Sequence, residues 1–210
     1  MENFEKTLEE IHILTGRYVL FSEVCELPPG KRVELDLGCG KGGFTAAMAE
    51  AFPDRLVLAA DIMLGRMRKV RKKVVRKEAS NVRYLRVDAR YLMGICLPDR
   101  SIDRVHILCP DPWPKLRHRG HRLLCSDFLM PINRVLKEGG IFHFATDDPE
   151  YMGAVVKLVE ESGFFEKAGA EAIADVAGFK TEFERDWLAK GKEVPHIAWR
   201  ALKPVFTGAH

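Results

Sequence analysis

The sequence predicts an α/β fold, a mostly parallel sheet with helices on both faces. Three observations predict it. Apolar strand-like runs alternate with helix-like runs along most of the chain. The first clear strand runs into a glycine-rich turn that opens a helix. Acidic residues then stand just beyond successive strand ends: Asp61, Asp88, Asp111 and Asp147. Ligands of open parallel sheets bind at the carboxyl ends of the strands, so four carboxylates on that edge describe a site as well as a fold.

The elements follow in order. Residues 32–37 read as the first strand and 44–51 as the helix after the glycines. Residues 56–60 form a second strand, ended by Asp61. Residues 64–78 read as an amphipathic helix, with Leu64, Met67, Val70, Val74 and Val75 on its buried side. Strands are expected at 82–87 and 103–109, the second ended by Pro110-Asp111-Pro112. Ser126 is the expected N-cap of a helix reaching about Leu136. A turn at Lys137-Glu138-Gly139-Gly140 precedes a strand over 141–145, and a helix over 149–161 follows. From Phe164 the pattern is less regular, and its clearest strand candidate is 197–202. Residues 1–30 are expected to be an N-terminal helix and connector, and 31–210 the main domain, a division that suits 210 residues.

Composition excludes several classes. The chain is 47% hydrophobic and 30% charged, which is globular and not disordered. No apolar run approaches the ~20 residues of a membrane span. The first ten residues are acidic and lack an apolar signal core, so a cytoplasmic protein is expected. Cys25, Cys39, Cys96, Cys109 and Cys125 are scattered, odd in number and form no C-x-x-C pair, so neither a disulfide framework nor a zinc site is indicated. His118-x-x-His121 offers only two nitrogen ligands, and no metal is expected. The net charge is only +3, but basic residues crowd two stretches. One holds Arg66, Arg68, Lys69, Arg71, Lys72, Lys73, Arg76 and Lys77; the other holds Lys115, Arg117, His118, Arg119, His121 and Arg122. Local density sets the field that a polyanion meets. For the first stretch, a solvated helix face is an equal alternative. Oligomeric state is left open, self-association included.

The glycine run Gly38-Cys39-Gly40-Lys41-Gly42-Gly43 fits G-x-G-x-G and also G-x-G-x-x-G, so a dinucleotide is one reading. Three acids favour S-adenosylmethionine. Asp36, two residues before Gly38, suits a cationic ligand and is wrong for a pyrophosphate. Asp61 can accept from both ribose hydroxyls, and Asp88-Ala89 suits an adenine edge. The second signal is Cys109-Pro110-Asp111-Pro112-Trp113-Pro114-Lys115-Leu116-Arg117-His118. Its prolines stiffen the backbone around one acid, as a catalytic position needs.

These motifs resemble those of bacterial tRNA (guanine-N7)-methyltransferases, whose pattern is F-P-D-P-W-x-K-x-R-H-x-K-R-R. The match runs through Pro110-Asp111-Pro112-Trp113, Lys115, Arg117-His118 and Arg122. Asn81-Val82-Arg83 leading to Asp88-Ala89, Ala145-Thr146-Asp147, and Thr181-Glu182-Phe183-Glu184-Arg185 (similar to T-x-F-E) extend it over most of the chain from Val33. Cys109 stands where Phe is usual, Asp36 and Asp61 where Glu is common, and Gly120-His121 interrupt the basic pair, which thins the RNA-binding loop.

The resemblance implies a Rossmann-like class I S-adenosylmethionine-dependent methyltransferase acting on tRNA, by family resemblance at the variable-loop guanosine. It implies that Asp36, Gly38, Gly40, Asp61, Asp88, Ala89 and Asp111 bind S-adenosylmethionine, with Asp111 also catalytic. Lys115, Asp147, Thr181, Glu182, Phe183 and Glu184 would bind the substrate, and Arg117, Arg119 and Arg122 the RNA. Three rivals stay open. An exocyclic-amine methyltransferase would read Asp111-Pro112-Trp113 as D/N-P-P-Y/F. A nicotinamide oxidoreductase would use Gly38, Gly40 and Gly43. A non-catalytic RNA-binding module would keep only the fold.

Overall fold

The computed structural model describes residues 11–14 and 27–203. One eight-stranded sheet organises them: β1 (Ile11–Ile13), β2 (Val33–Leu37), β3 (Leu56–Asp61), β4 (Val82–Arg86), β5 (Ile102–Leu108), β6 (Leu136–Ala145), β7 (Phe165–Lys167) and β8 (His196–Ala201). Their spatial order is β1-β4-β3-β2-β5-β6-β8-β7. All pairings are parallel except β6–β8 and β7–β8.

Burial on both faces explains why β3 reads as a nearly continuous apolar run; every residue of β2 is buried as well, although Glu34 and Asp36 alternate there with Val33, Leu35 and Leu37. Alternate side chains enter different cores. Leu35, Leu58, Val105, Phe142 and Phe144 join one cluster with Phe128, Ile132, Tyr151 and Val155 from α4 (Ser126–Val135) and α5 (Pro149–Glu161). Val57, Ala59 and Ala145 join the other, with Phe44 and Met48 from α1 (Gly43–Ala51) and Met67, Val70 and Val74 from α2 (Leu64–Arg76). Helices thus cover both faces, as expected. The second face also holds the buried polar side chains Glu34, Asp36, Arg104, His106 and His143.

Several expectations need correction. Ile11–Ile13 is a strand beside β4, within the stretch expected to be helix and connector; most of that stretch, Cys25 included, lies outside the described residues. Val75 is exposed. Its i+1 spacing from Val74 carries it around α2 toward solvent. The N-cap of α4 is Cys125; Ser126 is the first helical residue and its hydroxyl donates to Asp127 at 3.1 Å. The expected turn at 137–140 is absorbed into β6: the register jumps from Ile102↔Leu136 to Arg104↔Ile141, and Gly139 takes φ +70°. The bulge keeps the chain in the sheet where a turn would have left it. β7 was not expected, because three residues are too few for a periodic signal.

Among the described residues, no helix is long and apolar enough to cross a membrane.

Candidate functional site

From β2 the chain steps outward through β3 to β4; from β5 it steps the other way to β6. The crevice between the carboxyl ends of β2 and β5 is therefore the topological switch point, where such sheets bind ligands. A cleft of about 470 Å³ opens there.

One wall is the glycine loop. Gly38, Gly40 and Gly42 take φ of +78°, +58° and +77°, a region open to glycine without strain. At Gly42 a Cβ would also stand 2.8 Å from Val70 of α2, so the glycine lets the two helices approach. Asp61 closes this wall. Its carboxylate accepts from Gly40 N–H at 3.3 Å, Met63 N–H at 2.8 Å and Arg66 at 3.3 Å. Asp88 accepts from the N–H groups of Arg90 and Tyr91 and so caps the short helix α3 (Ala89–Tyr91), continued by a π-helical turn over Leu92–Cys96.

Asp36 is buried behind the loop and does not line the cleft. Thr45 donates to it at 2.5 Å. Burial, followed by the charges of Asp61 and Glu184, pushes its carboxyl up to about 7, against the Thr45 bond. The folded protein therefore binds a proton there that the unfolded chain releases at about pH 4. The sign follows: stability falls as pH rises from about 4 to about 7, by on the order of 4 kcal/mol. Asp36→Asn should remove that fall. In ligand-free protein, the variant's melting temperature should gain on wild type between pH 5 and pH 8. Parallel curves would contradict the assignment.

The opposite wall follows β5. Cys109 and Trp113 take φ of +52° and +43°, and between them stand Pro110, Asp111 and Pro112. Two non-glycine residues in the left-handed region mark a strained loop of the kind held at functional sites. Asp111 and Asp147 line the cleft, and among the described residues neither has a hydrogen-bond or ion-pair partner. The Cys109 thiol is pushed up to about 12 by burial and by Glu184 and Asp147, and the Cys39 thiol is raised by burial, Asp36 and Asp61. Neither is a thiolate nucleophile at neutral pH.

A third wall is α6 (Glu182–Leu188), capped by Thr181. Thr181, Glu182, Phe183 and Asp186 line the cleft. Glu182 accepts from the Gly43 N–H at 3.2 Å and pairs with Lys73, which ties α6 to the first turn of α1. Asp186 lies outside every motif picked out in the sequence. Its i,i+4 spacing from Glu182 was the available signal.

Gly38, Gly40, Asp61, Asp88, Ala89, Asp111, Asp147, Thr181, Glu182 and Phe183 are thus brought together. Asp36, Lys115, Arg117, Arg119, Arg122 and Glu184 are not among the lining residues. Two of these need a different account from the one expected. Arg122 is buried; it donates to the Pro112 carbonyl at 2.8 Å, pairs with Glu150 at 3.1 Å and lies 4.6 Å from the Tyr151 ring centre. Its guanidinium holds the Asp111 loop. Glu184 is also buried; its carboxylate accepts from Thr181 N–H at 2.9 Å and from His196 at 2.8 Å. It builds the cap. Arg119 pairs with Glu150, whereas Lys115 and Arg117 are exposed in the turn Leu116–His121 and just before it.

The cleft suits a cationic nucleoside ligand. Asp61, Asp88, Asp111, Asp147, Glu182 and Asp186 line it against Lys41 and Arg66, over an apolar floor of Leu37, Ala60, Val87 and Leu108. An adenosyl group with sulfonium and ammonium charges would meet acids at each strand end, whereas a pyrophosphate would meet repulsion. Among the described residues, no group of three or more His, Cys, Asp or Glu is placed to hold a metal ion.

The family model Methyltransf_4, described as "Putative methyltransferase", matches residues 31–197. A tRNA (guanine-N(7)-)-methyltransferase of Thermotoga maritima is 33% identical over 82% of this chain and 55% of its own length. One of Syntrophotalea carbinolica is 34% identical over 79% of this chain and 72% of its own length. The chain therefore spans about half to three quarters of the length of these relatives. The crystal structure of the aminoglycoside resistance methyltransferase NpmB1 is similar in fold, with a TM-score of 0.58 at 20% identity over 91% of this chain and 98% of that one. The fold is Rossmann-like class I. On the family match and these identities, the chain belongs to the tRNA (guanine-N(7)-)-methyltransferase family.

Proposed function

We propose that this chain transfers a methyl group from S-adenosylmethionine to N7 of a guanosine in tRNA, at the variable-loop guanosine. The observation that carries the reading is Asp111. It is a carboxylate without a protein partner among the described residues, fixed between two prolines in an acid-lined cleft at the switch point.

The donor supplies an electrophilic methyl group on a sulfonium. Guanine N7 carries an in-plane lone pair and needs no deprotonation, and its product ring is cationic. The residues must therefore align the base and surround it with negative charge, a task for fixed dipoles and carboxylates and not for a general base. Asp61 would hold the ribose hydroxyls, Asp88-Ala89 the adenine edge, and Gly38 and Gly40 would admit the donor close to backbone. Asp36 would act on the bound cation from behind the loop. Asp111 and Asp147 would accept from the guanine N1–H and 2-amino group. Thr181, Glu182 and Phe183 close the same side. The base must leave its stack to be read this way, which a loop permits.

In this reading the reaction is cytoplasmic, residues 31–210 form the methyltransferase domain, and 1–30 form an N-terminal connector that lends β1 to its sheet. The test is a tRNA transcript with 7-deazaguanosine in place of guanosine. It should accept no methyl group while the guanosine transcript does. Equal transfer would move the target to another atom, as an exocyclic-amine enzyme would require.

Lys115 and Arg117 are the exposed cations nearest the Asp111 loop and would bind phosphate. Neutralising both should lower the log–log salt slope of tRNA binding by about 0.7–0.9 for each phosphate that then goes unpaired, with donor affinity unchanged. An unchanged slope would place the RNA elsewhere. Because Arg122 is buried, Arg122→Ala should act on the Asp111 loop and leave that slope unchanged.

A further inference from the structure

The helix α2 carries seven cations and no acid over Leu64–Arg76. A charged face that only meets solvent is stabilised by opposite charges at i,i+4 spacing. Here Lys69 and Lys73, and Lys72 and Arg76, stand at that spacing with like charge, which works against the helix. On sequence alone, solvent and RNA are equal claims on this face; its neighbours in the fold decide between them.

Cations from two other segments converge on it. Lys73 pairs with Glu182 of α6, and Arg185 approaches the same carboxylate at 3.7 Å. The Arg185 guanidinium lies over the start of α1, where a Cβ at Gly43 would strike it. Lys41 stands two residues before Gly43, in the glycine loop, and lines the cleft. Lys73 feels all of these groups: burial first, then the charges of Arg185, Lys41 and Lys69, lower its pKa. The acid in their midst, Glu182, is shared between Lys73, Arg185 and the Gly43 N–H. Lys41 and Lys69 are exposed, and among the described residues neither has an acidic partner. Like charges drawn together from 41, 69–73 and 185 repel one another until an anion meets them.

Position identifies the anion. The cluster crowns the glycine-loop and α6 walls of the cleft, whereas Lys115 and Arg117 stand beyond the Asp111 loop on the opposite wall. A nucleotide whose base enters the cleft carries one phosphate toward its 5′ neighbour and another toward its 3′ neighbour. Its backbone therefore crosses the mouth and leaves over two rims. We infer that Lys41, Lys69, Lys73 and Arg185 form a second phosphate-binding rim, which holds the RNA backbone on the side of the cleft opposite Lys115 and Arg117. The identity of the RNA as tRNA rests on the function proposed above; the convergence of cations at the cleft mouth does not.

The test is binding of a tRNA transcript over a salt series, without turnover. Lys41→Gln combined with Lys69→Gln breaks no ion pair among the described residues, so the fold is kept. This double variant should lower the log–log salt slope by about 0.7–0.9 for each phosphate that then goes unpaired. Arginine at both positions should keep the wild-type slope. Neutralising Lys115 and Arg117 in the same protein should add its own loss, because the two rims are separate. An unchanged slope in the glutamine variant would overturn the proposal, and so would a combined loss no larger than that of either pair alone. An unchanged slope with weaker binding of the demethylated donor would give Lys41 to the donor carboxylate instead. A transfer assay run in parallel keeps the two readings apart. If the slope falls as expected but wild-type protein forms no 7-methylguanosine, the functional reading fails and the rim stands. If 7-methylguanosine forms and the slope does not move, the rim alone fails.

Discussion

Asp111→Asn is expected to lower turnover by about 10²–10³, the loss that follows removal of one preorganised electrostatic interaction. The amide keeps the shape, so the loop between Cys109 and Trp113 stays folded. The charge disappears, and a new donor would face the guanine donors of the proposed substrate. Glutamate at 111 should recover little, because the longer arm misplaces the carboxylate. The absence of a protein partner for Asp111 among the described residues makes the experiment clean. No internal ion pair is broken, so melting temperature should stay near wild type while turnover falls. Wild-type turnover in Asp111→Asn would remove the residue from the catalytic centre.

The second large effect belongs to Asp61→Ala. The carboxylate joins the glycine loop through Gly40, its own loop through Met63, and α2 through Arg66. It also stands where two ribose hydroxyls would donate. Hydrogen bonds to a charged group contribute ~1.5–3 kcal/mol each. Losing two should weaken S-adenosylmethionine binding by at least about 10²-fold. Calorimetry with the demethylated product measures this without turnover. Unchanged affinity would exclude Asp61 from the donor site.

The lining of this cleft was legible where a local signal carries it. Strand ends, glycines and acids follow one another in sequence, so the edge holding Gly38, Asp61, Asp88, Asp111 and Asp147 could be drawn before any coordinates. The two-faced burial of β3 was legible for the same reason, as a nearly continuous apolar run, whereas the acids that alternate through β2 gave no such signal.

What was not legible depends on pairings distant in the chain. Arg122 reads as one more cation in a basic run until Glu150 and Tyr151 of α5 are brought beside it. Glu184 reads as a site acid by resemblance, yet the Thr181 capping box and His196 claim its oxygens. His106, His143 and His196 lie on three strands whose order no local pattern states. Asp36 belongs to the motif, but its neighbours on β2 and α1 bury it. In each case the residue type was informative and its partner was not.

The central claim is methyl transfer to guanine N7, and one measurement tests it most directly. The protein is incubated with methyl-labelled S-adenosylmethionine and guanosine-containing tRNA, and the RNA is digested to nucleosides. The account predicts that label appears as 7-methylguanosine and that Asp111→Asn, assayed in parallel, loses most of it. Label on an exocyclic amine, or no label in RNA from folded protein that binds the donor, would contradict the account.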